Sequence, residues 1–365
     1  MGVFSTDSFD NHESVSFFSD ADTGLRAIIA VHSSRLGAAV GGCRMYPYSS
    51  EGAAIDDALR LSRGMTYKSA LAGLPMGGGK AVIIGDPSAD KTPALLRAFG
   101  DCVERLGGRY VTAEDSGTTV ADMACIAERT RFVSGLNAGP SRHGGDPSPY
   151  TAYGVFRGIQ QAWRVKKGET ATLAGCRVLV QGAGAVGRHL IALLIAEGAQ
   201  VMAADINADN LQKSVAMGAS AIAQDEVFSV ATDIFAPCAM GSVFTTANVM
   251  SIQAEVIAGA ANNQLEGPEV AKILARRGIL YAPDFAINAG GIIDVYYQRS
   301  GGEHRQVISH IERTVSVLEQ ILRRAQCEQR DTHSVAEEMA EQRLLQGGEG
   351  PLKTAASGSL HQVGM

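Results

Sequence analysis

The most constraining feature of this chain is a glycine-spaced hexapeptide, Gly182-Ala183-Gly184-Ala185-Val186-Gly187, set between an apolar run at 176–180 and a helical pattern at 188–197. A second apolar run, 200–204, ends at Asp205, 23 residues after Gly182. A strand, a glycine turn, a helix and a second strand ending in a carboxylate make the βαβ unit that receives a dinucleotide. Gly182 permits the tight turn, Gly184 lets a pyrophosphate approach the backbone, and Gly187 lets helix and strand pack closely. The phosphates meet the N-terminus of the helix that follows, beside Ala185 and Val186 in the turn. Asp205 accepts from both ribose hydroxyls and repels a 2′-phosphate, so the cofactor expected is NAD rather than NADP. The competing interpretation, an ordinary βα turn with incidental glycines, does not explain the placed carboxylate.

One such unit does not fill 365 residues, a length that suggests two domains. Before the hexapeptide, strand patterns at 25–32, 37–44 (a strand or a turn), 81–84 and 110–113 alternate with helical patterns at 51–67 and 92–106. The segment 134–149, rich in Gly, Pro, Ser and Asp, is the expected linker. Beyond it, 233–236, 255–258 and 278–281 read as further short buried strands, and 304–325 and 334–345 as closing helices. The fold class expected is therefore α/β with two domains, an N-terminal α/β domain at 1–146 and a Rossmann domain at 147–330, with the cleft between them. Residues 331–365 are expected to pack back on the first domain, and the Gly/Ser-rich end, 347–365, to be mobile.

The chemistry of the remaining composition excludes several classes. A net charge of −6 offers no basic field for nucleic acid. The longest apolar stretch, 190–196, is too short to span a bilayer, and the N-terminus lacks the basic and apolar regions of a secretory signal. Gly2 and Thr6 fit a myristoylation pattern too short to carry weight. Six scattered cysteines without a C-x-x-C pair read as reduced thiols of a cytoplasmic protein, and eight histidines without ligand spacing support no metal.

Two lysines and a carboxylate pair stand out in the first half. Gly77-Gly78-Gly79-Lys80 is not a P-loop, because Leu74 and Ala81 occupy positions that need Gly and Ser or Thr. What remains is a lysine delivered by a flexible glycine turn into a buried strand, with Lys68 twelve residues earlier at the end of a helix. Two lysines near one cleft suit an anionic substrate: one holds a carboxylate, and its charge lowers the pKa of the other toward that of a general base. Spacing alone favours two solvated surface lysines over this pair. Glu114-Asp115 closes a predicted strand, where a carboxylate is placed either for catalysis or as the N-cap of a helix at 118–128.

These segments together resemble a known family. Met65-Thr66-Tyr67-Lys68, the run from Gly77 to Pro87 and Ala113-Glu114-Asp115 are similar to the Glu/Leu/Phe/Val amino-acid dehydrogenases. So are Gly41-Gly42-Cys43-Arg44, Asp146-Pro147-Ser148-Pro149-Tyr150-Thr151, Ala260-Ala261-Asn262-Asn263 and Asp284-Phe285-Ala286-Ile287-Asn288-Ala289-Gly290-Gly291. The resemblance runs from about residue 25 to 345 and is strongest to the leucine and valine enzymes.

The resemblance implies reversible, NAD-dependent oxidative deamination of an L-amino acid to its 2-oxo acid and ammonia. Carried over by position, Lys68 anchors the substrate carboxylate with Gly42 and Asn262. Lys80 is the general base, Asp115 exchanges protons with the substrate nitrogen, and Thr151 and Asn288 orient the nicotinamide. The substrate side chain falls against Val40, Ala113, Ile292 and Val295, an aliphatic wall that implies a branched-chain substrate, with aromatic amino acids as the alternative. A homo-oligomer is implied too, its size open. Cys43, Ser116, Ser242 and Asp294 depart from the family pattern, and an inward-facing Asp294 would oppose an apolar substrate. A catalytically silent NAD-binding protein would not need the lysines and the aspartate. A 2-hydroxy-acid dehydrogenase would need a His/Arg/carboxylate set; Arg142 and His143 stand in the linker instead.

Overall fold

The computed structural model describes residues 2–136, 145–239 and 243–347. Its first half holds β1 (Ser14–Asp20), β2 (Leu25–Ser33), β3 (Ala39–Tyr46), α1 (Glu51–Ala72), β4 (Gly77–Ile84), α2 (Pro93–Arg105), β5 (Tyr110–Glu114) and α3 (Val120–Ala127). The strands form one mixed sheet in the order β1-β2-β4-β3-β5. β1, β2 and β4 pair antiparallel, while β3 runs parallel to both β4 and β5. β1 is an edge strand in which Ser alternates with Val and Phe; it lacks the continuous apolar run that marks the buried β2.

Two local expectations need correcting. The glycines before Lys80 do not form a flexible turn: Gly77 and Gly78 pair with Ala39 and Val40 inside the sheet. Their lack of a side chain serves close packing, since a Cβ on Gly78 would lie 2.1 Å from the Thr66 backbone nitrogen. α1 is thereby pressed onto β4, two residues from Lys68 on one side and two from Lys80 on the other. Nor does α1 stop at Tyr67. It runs to Ala72 because the turn 66–72 is buried, and it ends at Gly73 in the left-handed region (φ 68°). Lys68 is thus held inside the helix, one turn from its end.

The second half contains α4 (Ser148–Lys167), β6 (Arg177–Gln181), α5 (Ala185–Ala196), β7 (Gln200–Ala204), α6 (Ala208–Ala216), β8 (Ser220–Ala221), β9 (Ile234–Pro237), β10 (Val256–Ile257), α7 (Pro268–Arg276) and β11 (Leu280–Tyr281). Its six strands are all parallel, in the order β8-β7-β6-β9-β10-β11. The chain starts in the middle, at β6, winds outward to β8 and returns to β9, which is the doubly wound arrangement whose ligand crevice lies where the winding reverses. The expected linker overruns its true end, because Ser148 and Pro149 already begin α4; residues 137–144, with Arg142 and His143, lie outside the described residues.

Four helices close the chain: α8 (Asp284–Ile287), α9 (Gly290–Ser300), α10 (His304–Glu328) and α11 (Thr332–Leu345). α11 reaches back to α1. Arg343 donates to the carbonyls of Ala70 and Leu71, Tyr67 Oη donates to Glu341 at 3.0 Å, and Arg63 pairs with Glu337 at 2.8 Å. His310 Nε2 of α10 lies 2.6 Å from the Ala72 carbonyl. The last two carbonyls of α1, those of Leu71 and Ala72, are therefore satisfied by the C-terminal helices, while Ser69 and Ala70 accept from the capping turn. Residues 348–365, which include most of the tail expected to be mobile, lie outside the described residues. No described helix is long and apolar enough to cross a membrane.

Candidate active site

A cavity of about 850 Å³ lies between the ends of the two sheets. The first sheet contributes Val40, Gly42, Lys80, Ala113 and Asp115, and α1 contributes Lys68. From the second half come Thr151, Gly184, Ala185, Val186, Gly187, Asn262, Asn288, Ile292 and Val295. Gly182 and Asp205 stand just behind this surface. Every other residue given a catalytic, substrate or cofactor role from the sequence faces the same space.

The lysines are not solvated. Lys68 and Lys80 are only 7% and 5% exposed. Lys80 Nζ lies 2.5 Å from Asp115 Oδ2. Arg44 Nε reaches the same oxygen at 3.2 Å, and its Nη1 lies 2.9 Å from Asp57 Oδ2, which also accepts from Tyr48 Oη at 2.6 Å. Asp115 is no helix cap: Thr119 caps α3 through a reciprocal box with Asp122. Burial alone would push the Asp115 carboxyl up, but Lys80 and Arg44 outweigh it and hold the group well below the usual carboxylate range.

Lys68 Nζ donates to Asn262 Oδ1 at 2.9 Å, and that oxygen also accepts from Asn288 Nδ2 at 3.0 Å. Asn288 Nδ2 further reaches the Ala260 carbonyl at 3.0 Å. Burial pushes the Lys68 ammonium down to about 8; the charge of Asp284 opposes this, Lys80 adds to it and Asp115 opposes it. At the cavity's lip, Glu114 is raised to about 7, by burial first and then by the charges of Asp146 and Asp115.

The residues fit a dinucleotide. Gly182 sits at φ 93°, where a Cβ would strike the Cys238–Ala239 backbone at the end of β9. A Cβ on Gly187 would lie 2.0 Å from the Gly182 carbonyl oxygen, while one on Gly184 would meet nothing within 4 Å. Hence helix and turn are packed tight, and the open side faces a ligand. α5 begins at Ala185, earlier than its apolar pattern predicts, and no side chain caps it. Its free amides suit a pyrophosphate. Asp205 Oδ2 accepts from the Ala183 backbone nitrogen at 2.6 Å, which ties the carboxylate to the turn. Asn288 Oδ1 is buried with no hydrogen-bond partner, an acceptor suited to a carboxamide N–H.

The apolar wall is intact. Val40, Ala113, Ile292 and Val295 are all buried, and Met65 packs against them. Asp294 does not intrude: it turns away from the cavity and accepts from Gln298 Nε2 at 2.7 Å. Cys43 is wholly buried, and burial pushes its thiol up, so it is inert. Ser242 lies outside the described residues. No group of three or more His, Cys, Asp or Glu side chains among the described residues could hold a metal.

Three contributors were not singled out from sequence: Arg44, Asp57 and Asp284. Two carried a readable signal. Arg44 is two residues beyond Gly42 on β3 and so shares its face. Asp57 leads the α1 stripe that continues through Leu61, Gly64 and Met65 to Lys68, at helical spacing.

The comparisons agree with this geometry. Residues 12–132 match the family described as Glu/Leu/Phe/Val dehydrogenase, dimerisation domain, and residues 204–347 match Glutamate/Leucine/Phenylalanine/Valine dehydrogenase. A leucine dehydrogenase of Geobacillus stearothermophilus is 45% identical over 92% of this chain and 91% of its own length. A phenylalanine dehydrogenase of Bacillus thermotolerans is 43% identical over 92% and 89%. The crystal structure of L-tryptophan dehydrogenase from Nostoc punctiforme superposes with a TM-score of 0.74 at 39% identity, covering 92% of this chain and 97% of that one. Two matched domains, a shared fold and a shared length leave one conclusion: this chain belongs to the Glu/Leu/Phe/Val dehydrogenase family of amino-acid dehydrogenases.

Proposed function

We propose that this protein catalyses the reversible, NAD-dependent oxidative deamination of a branched-chain aliphatic L-amino acid to the 2-oxo acid, ammonia and NADH. The observation that carries the reading is the Lys80–Asp115 pair, buried at 2.5 Å in a cavity that also holds a second buried lysine and an aliphatic wall.

Each residue has work matched to its position. Lys68, held by Asn262, receives the substrate carboxylate beside Gly42, whose missing side chain makes room: a Cβ there would lie 2.7 Å from Asp115 Cβ. Asp115, kept ionised, takes and returns protons at the substrate nitrogen. Lys80 activates the water that attacks Cα, and its contact with Asp115 passes a proton without release into bulk solvent. The aliphatic side chain lies against Val40, Ala113, Ile292 and Val295. The bound nicotinamide supplies the hydride acceptor. Asn288 Oδ1 and Thr151 are placed to orient its carboxamide, and Gly182, Gly184, Ala185, Val186, Gly187 and Asp205 to hold the rest. Asp205 selects NAD by repelling a 2′-phosphate. The cleft is where closing would exclude water. The protein is proposed to work as a cytoplasmic homo-oligomer, with the domain boundary near 146.

The test is a substrate panel. Purified protein with NAD and L-leucine, L-valine or L-isoleucine produces NADH, and NADP replaces NAD poorly. Turnover of L-phenylalanine with none of the aliphatic substrates would move the assignment to the aromatic enzymes. NAD binding without any amino-acid-dependent reduction would leave only a binding protein.

A further inference from the structure

Lys80 and Asp115 are the end of a longer chain of charges that runs away from the cavity. Asp115 Oδ2 receives both Lys80 Nζ, at 2.5 Å, and Arg44 Nε, at 3.2 Å; neither cation takes Oδ1. Behind Asp115, Arg44 is gripped by Asp57, which is itself gripped by Tyr48. Arg44 is only 12% exposed and Asp57 only 23%. A buried guanidinium placed between two carboxylates in this way is fixed in orientation, and its planar fork gives each carboxylate a separate nitrogen. We infer that Arg44, locked by Asp57 and Tyr48, is a positioning residue that turns Asp115 so that Oδ2 faces Lys80 and Oδ1 is left for the reacting nitrogen. This rests on the function proposed above and adds a residue to it.

Two cations on one oxygen solve a specific problem. During turnover Lys80 must give up its proton, and a buried carboxylate paired to Lys80 alone would then be left uncompensated, at a cost of several kcal/mol. Arg44 does not deprotonate, so Asp115 keeps a permanent counter-charge throughout the cycle. The other groups acting on Asp115 are Lys68 on α1, Glu114 and Tyr110 on β5, the buried Cys43 thiol on β3, Tyr48 just after β3 and the Ser116 backbone N–H. Lys68 is engaged by Asn262, Glu114 repels, and the Tyr110 hydroxyl donates to the Gly41 carbonyl at 2.7 Å. None of these replaces the guanidinium.

The experiment uses Arg44→Met, Arg44→Lys and Asp57→Ala in the full-length protein. Each is measured for kcat/KM against pH with an aliphatic L-amino acid, and for NAD affinity by fluorescence. In Arg44→Met, kcat falls about 10²-fold and the acid limb of the profile moves up by about one pH unit, while NAD affinity is unchanged. Arg44→Lys keeps the charge and loses the fork, so its acid limb stays while kcat falls less. Asp57→Ala lowers kcat several-fold and leaves the acid limb in place. An acid limb unmoved in Arg44→Met, with kcat within twofold, overturns the inference. If Arg44→Met does not fold, Arg44→Lys and Asp57→Ala decide, and wild-type kcat in both overturns it. A wild-type protein without turnover defeats the proposed function instead. The carboxyl-carbon NMR titration of Asp115, which needs no turnover, then still tests whether Arg44→Met raises its midpoint.

Discussion

Lys68 and Lys80 carry the same charge, sit in the same cavity and do different things because of what each touches. Lys80 meets a carboxylate, whereas Lys68 meets neutral amides. An ammonium pushed down to about 8 by burial is charged below that pH and neutral above it. On the proposed role of Lys68, the substrate carboxylate then loses its anchor as pH rises. Binding of a non-reactive branched 2-oxo acid analogue, followed by calorimetry, should weaken through pH 8, and Lys68→Met should bind weakly with no such step. Lys80→Ala should lower kcat at least 10³-fold while NAD still binds, on the scale of losing an acid–base group. Normal turnover in that variant would remove the base assignment. The type and number of these residues were legible in the sequence, but their surroundings were not. Spacing alone left two surface lysines open, because burial is decided by segments far apart in the chain. The same holds for Asp115, whose competing role as a cap disappears only once Thr119 is seen to fill it.

At the scale of elements, the sequence was clearest where a strand is continuously apolar. β2, β6, β7 and β9 fall close to their predicted runs, as do α10 and α11. Glycine-rich strands were read poorly. The run before Lys80 looked like a turn because glycine favours turns, yet it is a strand packed tightly on both faces. Here the composition answers to tertiary contact, with Thr66 on one side and Tyr110 against Gly79 on the other. Gly78→Ala should therefore destabilise the protein by about 1–3 kcal/mol, the usual cost of overpacking. It should also raise the KM for the amino acid, since a displaced α1 carries Lys68 with it. Thermal melting and steady-state kinetics on one preparation check both effects; a variant with wild-type stability would show that β4 and α1 can part without cost. β1 escaped prediction for the opposite reason, its period-two pattern being diluted by serine.

Across the whole molecule, the two sheets supply opposite walls of one cleft, with Gly41 and Gly42 on one wall and Gly184, Gly187 and Gly291 on the other. The first wall is completed by the last helices. Arg343, Tyr67–Glu341 and His310 tie α10 and α11 to the end of the helix that carries Lys68. Arg343→Met would leave the Leu71 carbonyl without its donor, while Ala70 keeps the Gly73 N–H, at about 1–3 kcal/mol in stability. The KM for the amino acid should rise while NAD affinity stays the same, readable by melting, kinetics and fluorescence titration. An unchanged KM would mean that the Lys68 turn holds without this clasp. The same clasp sets an order of events during synthesis. The first sheet emerges from the ribosome early, but α11, which clasps the end of the helix packed on that sheet, is translated long after it. Until residue 343 has cleared the exit tunnel, the N-terminal half must persist with the end of α1, and the Lys68 it carries, unclasped.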